Sequence, residues 1–140
     1  MLGQYAEELN FSTRGRGFYE ITRDVSGLVS TSGFATGLVT LHVRHTSASL
    51  LIQENADPSV RTDLESVFAR LAPDADPVYE HNCEGDDDMA AHVRTALTNV
   101  NLSIPIVNGS MVLGTWQGIY LWEHRTRPHT RCIHVHIVGD

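Results

Sequence analysis

Alternation of apolar and polar positions marks the first elements. Residues 4–13 and 17–21 read as strands, separated by Arg14-Gly15-Arg16-Gly17, a turn-forming run. Ile21 to Ser32 has weak helical periodicity and is closed by Gly33. From Gly37 to Arg44, Leu38, Thr40 and His42 alternate with Val39, Leu41 and Val43, which predicts a strand delivering His45 at its end. Leu50-Leu51-Ile52 continues as a short apolar segment.

Asp57-Pro58 starts a helix, because aspartate caps and proline suits the first helical position. It runs to Leu71, and Val60, Leu64, Val67, Phe68 and Leu71 fall on its predicted buried face. Pro73 and Pro77 mark a loop, and Val78-Tyr79 reads as a short extended piece. Asp86 to Asp88 places negative charge at the start of a further helix, which continues to Leu97. Leu102–Val107 and Met111–Leu113 flank Asn108-Gly109, a strong hairpin signal. Gly118–His124 and Arg131–Val138 complete the strands. The order β-β-α-β-α-α-β-β-β-β lacks the alternation of a doubly wound sheet. It predicts one α+β domain over residues 1–140, a mostly antiparallel sheet or sandwich with about three helices, placed on one face.

The 140 residues suffice for one sizeable core, and 41% hydrophobic with 19% charged residues marks a folded chain. No apolar run is long enough to span a bilayer, and the acidic N-terminal stretch does not read as a secretion signal, so a cytoplasmic address is expected. A net charge of −7 argues against nucleic acid or an anionic membrane as partner. All ten fixed cations are arginines, which removes lysine Schiff-base and P-loop chemistry. The two cysteines, Cys83 and Cys132, form no disulfide framework. Cys132 sits in an apolar strand pattern and reads as structural. Cys83, beside His81 and Glu84, invites suspicion but needs an electropositive setting to be reactive.

Four histidines lie in four polar motifs: His45, His81, His92 and His124. Imidazole binds metals, moves protons and contacts anions near neutral pH. In His45-Thr46-Ser47-Ala48-Ser49, the hydroxyls and backbone N–H groups either hold an anion or satisfy their own backbone. Asp57 is accounted for as a helix cap, whereas Glu54 and Asn55 have no such local task. Residues 81–92 hold two imidazoles and four carboxylates, either a ligand or metal site or a solvated helix start. Their spacing matches no standard zinc signature. In Gly114-Thr115-Trp116-Gln117-Gly118, Trp116 and Gln117 form either a planar wall with a polar handle or a tight crossover with Trp116 as core filler. His42, His134 and His136 read as structural or surface residues on strand faces.

Together these motifs resemble the YjbQ-like family of secondary thiamine-phosphate synthase enzymes. The resemblance rests on His45-Thr46-Ser47-Ala48-Ser49 with Glu54-Asn55, and on Glu84-Gly85-Asp86-Asp87-Asp88-Met89-Ala90-Ala91-His92. It rests also on Ser103-Ile104-Pro105-Ile106, Gly114-Thr115-Trp116-Gln117-Gly118-Ile119-Tyr120-Leu121 and Glu123-His124-Arg125. Ala90 departs from the family's usual proline, and Cys83 is not an expected family feature. The resemblance implies a compact α+β fold, a homotrimer with polar sites near subunit contacts, and a site built from His45, Glu54, Asn55, His81, His92 and His124. It implies a transferase that joins a pyrimidine diphosphate to a thiazole phosphate and releases pyrophosphate, as a side activity.

Two readings follow. In the first, the chain is an enzyme of phosphorylated small molecules. His81, His92 and His124 hold a divalent metal, His45 acts as acid or base, and Glu54 orients it or reaches the metal. Ser47, Arg94 and Arg125 grip phosphate oxygens. Nitrogen ligands favour zinc or nickel, while pyrophosphate release favours magnesium. In the second, the same residues make a non-catalytic metal- or metabolite-binding oligomer. A cluster open to a pocket speaks for catalysis, and one sealed with all positions filled speaks for structure.

Overall fold

The computed structural model describes residues 1–140. Its elements are β1 (Gly3–Ser12), β2 (Gly17–Glu20), α1 (Thr22–Ser32), β3 (Gly37–Val43), β4 (Ala48–Glu54), α2 (Pro58–Leu71) and α3 (Asp88–Leu97). They continue with β5 (Asn101–Val107), β6 (Ser110–Met111), β7 (Gln117–Glu123) and β8 (Thr130–Gly139). The strands form two antiparallel sheets, β1-β8-β3-β5-β6 and β2-β7-β4. The α+β class and the antiparallel pairing agree with the sequence pattern.

Strand alternation explains the core. Val39, Leu41, Val43, Ile133, Val135 and Ile137 point inward from the larger sheet, and Ala48, Leu50, Ile119 and Leu121 meet them from the smaller one. Val25 and Val29 insert from α1, which therefore contributes to the core between the sheets. The alternate residues of β7, Tyr120 and Trp122, face α2 instead. Phe68 packs edge-on to Trp122 at 4.7 Å and Phe18 stacks on it at 4.4 Å. The helices thus divide between two places, and the expected single helical face does not form. Apolar residues on both faces of β7 demand cover on both sides.

Three further expectations change. Leu50-Leu51-Ile52 lies within a full strand, β4, paired along its length with β7. Val67 and Leu71 stay on the exposed side of α2, 40% and 59% exposed, because Phe68 and Leu64 already fill the contact with the sheet. Val78-Tyr79 is turn rather than extended chain. The cap of α2 holds: Asp57 Oδ1 accepts from Ser59 N at 2.9 Å, and Pro58 opens the helix. Asn108 and Gly109 both take positive φ, 51° and 77°, as a two-residue hairpin turn requires. His42, directly opposite His134, lies on the exposed side of the larger sheet. No helix is long and apolar enough to cross a membrane.

Candidate metal centre and its groove

Two corners of the chain meet at one end of the sandwich. Residues 44–47 cross from β3 in the larger sheet to β4 in the smaller, and residues 124–129 cross back from β7 to β8. Arg131 and Glu123 pin both crossings. Arg131 Nε donates to Glu123 Oε1 at 2.8 Å, and Arg131 Nη2 donates to Ser47 O at 3.1 Å and Oγ at 3.0 Å. Thr13 Oγ1 adds a 2.6 Å bond to Glu123 Oε1. Glu123 is fully buried; burial opposes its charge, but Arg131 and Thr13 hold its pKa below the usual glutamate value.

The acidic run at the start of α3 packs against this corner. Only its first part is solvated: Glu84 and Asp86 are exposed, but Asp87 and Asp88 are 7% and 2% exposed. Asp87 does not cap its helix. Its Oδ2 accepts from Arg125 Nε at 2.8 Å and Thr126 N at 2.9 Å. Arg125 reaches on to Asp88 Oδ1 at 2.9 Å and Glu84 O at 2.9 Å. Burial opposes ionisation of both aspartates, but the hydrogen bonds from Arg125 to Asp87 and from His81 to Asp88 keep both pKa values below the ordinary carboxylate value.

Asp88 Oδ2 is shared by two imidazoles. His81 Nε2 lies 2.6 Å away and His92 Nε2 3.3 Å away. The ligand atoms of His81, Asp88 and His92 all fall within 4.8 Å of one another. Asp88 and His92 stand one helical turn apart, so α3 itself aims them together.

The tautomer of His92 decides what this arrangement can bind. His92 Nδ1 lies 2.9 Å from the carbonyl of Thr46, which can only accept. Nδ1 therefore carries a proton. In the neutral ring Nε2 is then a bare lone pair facing a carboxylate oxygen, a repulsive contact unless a proton or a cation lies between them. A backbone carbonyl holding the far nitrogen is the usual partner of a metal-bound histidine. Two imidazoles and one carboxylate suit zinc or nickel better than magnesium. Ligand atoms around a tetrahedral zinc lie roughly 3.4 Å apart. The 3.3 Å pair meets that spacing, and His81 must withdraw slightly from its 2.6 Å hydrogen bond. The side chains of His81 and His92 are 46% and 30% exposed, so the centre is open on one side rather than sealed.

His124 does not join the cluster. It is fully buried, its Nε2 is 2.8 Å from Ser49 Oγ, and its Nδ1 has no partner. Burial, then the positive charge of Arg94, pushes its pKa down to about 3. Asp88 stands as the third member of the cluster instead. The sequence signal was its four-residue spacing from His92 on a helix. Arg94 is likewise buried, with Nη1 on Glu65 Oε1 at 2.8 Å, and Ser47 is 8% exposed under Arg131. Arg125 is 9% exposed and orients Asp88.

A groove of 490 Å³ opens beside His92. His45 lines it, half-buried at the corner after β3. Burial, and then Arg131, lower the pKa of His45.

Glu54, Asn55, Trp116 and Gln117 gather at the opposite end of the β4–β7 pair. Glu54 faces Gln117 in the register, whereas Ala48 faces Glu123. Six residues of strand separate the two ends by about 20 Å. There, Asn55 N donates to Trp116 O at 2.9 Å and Asn55 Nδ2 lies 3.4 Å from Glu20 Oε2. Gln117 Oε1 accepts from Gly114 N at 2.7 Å, and Trp116 is 61% exposed rather than core filler. Within one chain the expected site is therefore two clusters. Cys83 is exposed and Cys132 half-buried, and both are free thiols.

Comparison with known proteins adds lineage to this geometry. The family model for UPF0047 protein YjbQ-like matches residues 7–140. The chain is 53% identical to UPF0047 protein sll1880 of Synechocystis over 137 residues, covering 98% of this chain and 93% of that one. It is 42% identical to UPF0047 protein YjbQ of Salmonella typhimurium over 140 residues, covering 97% and 99%. A crystal structure of a YbjQ-like protein of unknown function from Sulfolobus solfataricus superposes with TM-score 0.91 at 25% identity, covering 100% of both chains. An uncharacterised yjbq/upf0047 family protein from Clostridium acetobutylicum gives TM-score 0.86 at 35% identity, covering 94% of this chain and 98% of that one. Matched by the family model over residues 7–140 and by these relatives over nearly their whole length, the chain belongs to the YjbQ-like UPF0047 family.

Proposed function

We propose that this chain is a metal-dependent enzyme of phosphorylated small molecules. His81, Asp88 and His92 hold a divalent ion, zinc or nickel by donor chemistry. The observation that carries the reading is the backbone-locked His92, whose Nε2 faces a buried carboxylate oxygen already shared with His81. A bound ion supplies charge that polarises a phosphoryl oxygen. Arg125 keeps Asp88 in place, and Thr46 keeps His92 in its tautomer. The exposed side of the centre, next to the groove, admits a ligand, which favours catalysis over a purely structural ion.

The reaction to assay is thiamine-phosphate formation, which joins a pyrimidine diphosphate to a thiazole phosphate and releases pyrophosphate. Equilibrium dialysis with zinc, alongside that assay, tests the proposal. Tight one-to-one zinc binding, lost in Asp88→Asn together with turnover, supports it. Turnover untouched by chelator and by Asp88→Asn overturns it.

The chain is further proposed to act as a homotrimer. Leu38 and Val107 are 44% and 50% exposed on the larger sheet and supply apolar contact area for further copies. Sedimentation equilibrium reads the stoichiometry directly.

A further inference from the structure

The backbone sets the tautomers of two imidazoles, on either side of Thr46, in opposite roles. His92 gives its Nδ1 proton to the Thr46 carbonyl. His45 instead receives the amide proton of Cys132 at Nε2, 2.8 Å away. A neutral imidazole that accepts at Nε2 carries its proton at Nδ1. His45 Nδ1 has no partner on the protein and is not a buried atom, so its N–H is open to a ligand.

The groove around it has a distinct chemistry. Arg44, His45 and Thr46 supply donors at its edge, and Val43, Ala96 and Val100 supply a largely apolar wall. No carboxylate lines the groove, although the chain as a whole carries a charge of −7. Thr95 also borders the groove, but its hydroxyl is buried without a partner and out of a ligand's reach. Arg44 is held by Glu8 at 3.0 Å, but both side chains are largely in solvent and the pair is exchangeable. His92 belongs to both the groove and the metal cluster. A ligand in the groove therefore lies alongside the proposed ion.

We propose that this groove receives the phosphoryl group of the substrate, and that His45 serves there as a neutral hydrogen-bond donor through Nδ1–H. The ring is not a general base. To accept a proton at Nδ1 it would have to carry one at Nε2, head-on to the Cys132 N–H. A preorganised neutral donor acts on the developing negative charge of a phosphoryl oxygen without exchanging a proton. The placement beside an ion rests on the metal reading above; the tautomer and the anion contact do not.

The test uses the full chain with 15N-labelled histidine, without added zinc, titrated with inorganic phosphate. His45 is expected as the Nδ1–H tautomer, and phosphate is expected to move the Nδ1 and Nδ1–H signals. His45→Ala should weaken phosphate binding about tenfold or more, as loss of a hydrogen bond to a charged group does, whereas Thr95→Val should leave it within about threefold of the parent. His45→Asn, which keeps an N–H near the Nδ1 position, should bind within about threefold of the parent. Thr95→Val should not lower Tm, because it removes an unpartnered buried hydroxyl. An Nε2–H tautomer in the parent chain overturns the proposal, as does phosphate affinity unaffected by His45→Ala. Failure of zinc binding alone overturns only the metal reading, since none of these readouts uses zinc.

Discussion

Asp88 and His92, one turn apart on α3, face each other through Oδ2 and Nε2 at 3.3 Å, with the histidine's other nitrogen held by a carbonyl. Arg125 neutralises part of the charge, but it is divided between Asp87 and Asp88. The contact is complete only when a proton or a cation occupies the space between the two atoms.

Zinc affinity should therefore depend on this pair. His92→Ala and Asp88→Asn are expected to lower affinity by about 100-fold or more, while Arg125→Met, which frees the carboxylate to rotate, lowers it by about 10–100-fold. Competition against a fluorescent chelator measures all three. Equal affinity in parent and Asp88→Asn places the ion elsewhere.

Zinc should also stabilise the folded chain. At a free concentration 100 times its Kd, an ion that binds only the native state adds about 2.7 kcal/mol. Differential scanning fluorimetry should show Tm rising with zinc and falling back with chelator in the parent. The Tm of Asp88→Asn should stay flat.

Stability should fall as pH drops from 6.5 through 5, before the carboxylates titrate. His124 has its folded pKa held down to about 3 against an ordinary 6.5. Between those values the unfolded chain binds a proton that the folded chain refuses, so stability rises with pH and is lost on acidification. The stability advantage of the parent over His124→Gln should be about 2 kcal/mol smaller at pH 5 than at pH 7.5. Urea melts at the two pH values measure it, and an unchanged difference removes His124 as the cause.

The buried Glu123–Arg131 pair should be costly to break singly. Glu123→Gln or Arg131→Met is expected to cost about 3–5 kcal/mol, because each leaves a buried charge unpaired. Glu123 has a lowered folded pKa, so its contribution is present above the ordinary value of 4.5 and disappears as pH falls through the folded value. Chemical denaturation of the single and double variants gives the coupling energy. A double variant no more stable than predicted by adding the two losses denies the pairing.

Trp116 and Glu54 lie at the far end of the β4–β7 pair, so Trp116→Ala and Glu54→Gln should leave zinc affinity within about twofold of the parent. Dialysis checks this. A larger loss would bring that end into contact with the cluster.

Local rules sufficed for the elements that rest on local physics. The Asp57-Pro58 helix start, the Asn108-Gly109 hairpin and the alternation of β3 each depend on a few neighbouring residues. The place of His45 just beyond β3 was legible in the same way, whereas the sequence pointed to His124, not Asp88, as the partner of His81 and His92. The division of the expected site was not visible. His45 and Glu54 lie on one short stretch of chain, and only the pairing of β4 with β7 sends them to opposite ends of a sheet.

Burial, too, belongs to the assembled fold. His81 and His124 are the same side chain in similarly polar motifs, yet one reaches an open cluster and the other is sealed in beside Ser49 and Trp122. The amino-acid order alone determined the class, most strands apart from β4 and most helix limits, because backbone hydrogen bonding and side-chain periodicity act over a few residues. Which imidazoles meet, which carboxylate they share and where each ring keeps its proton were decided by contacts between elements up to 87 positions apart, as between His45 and Cys132.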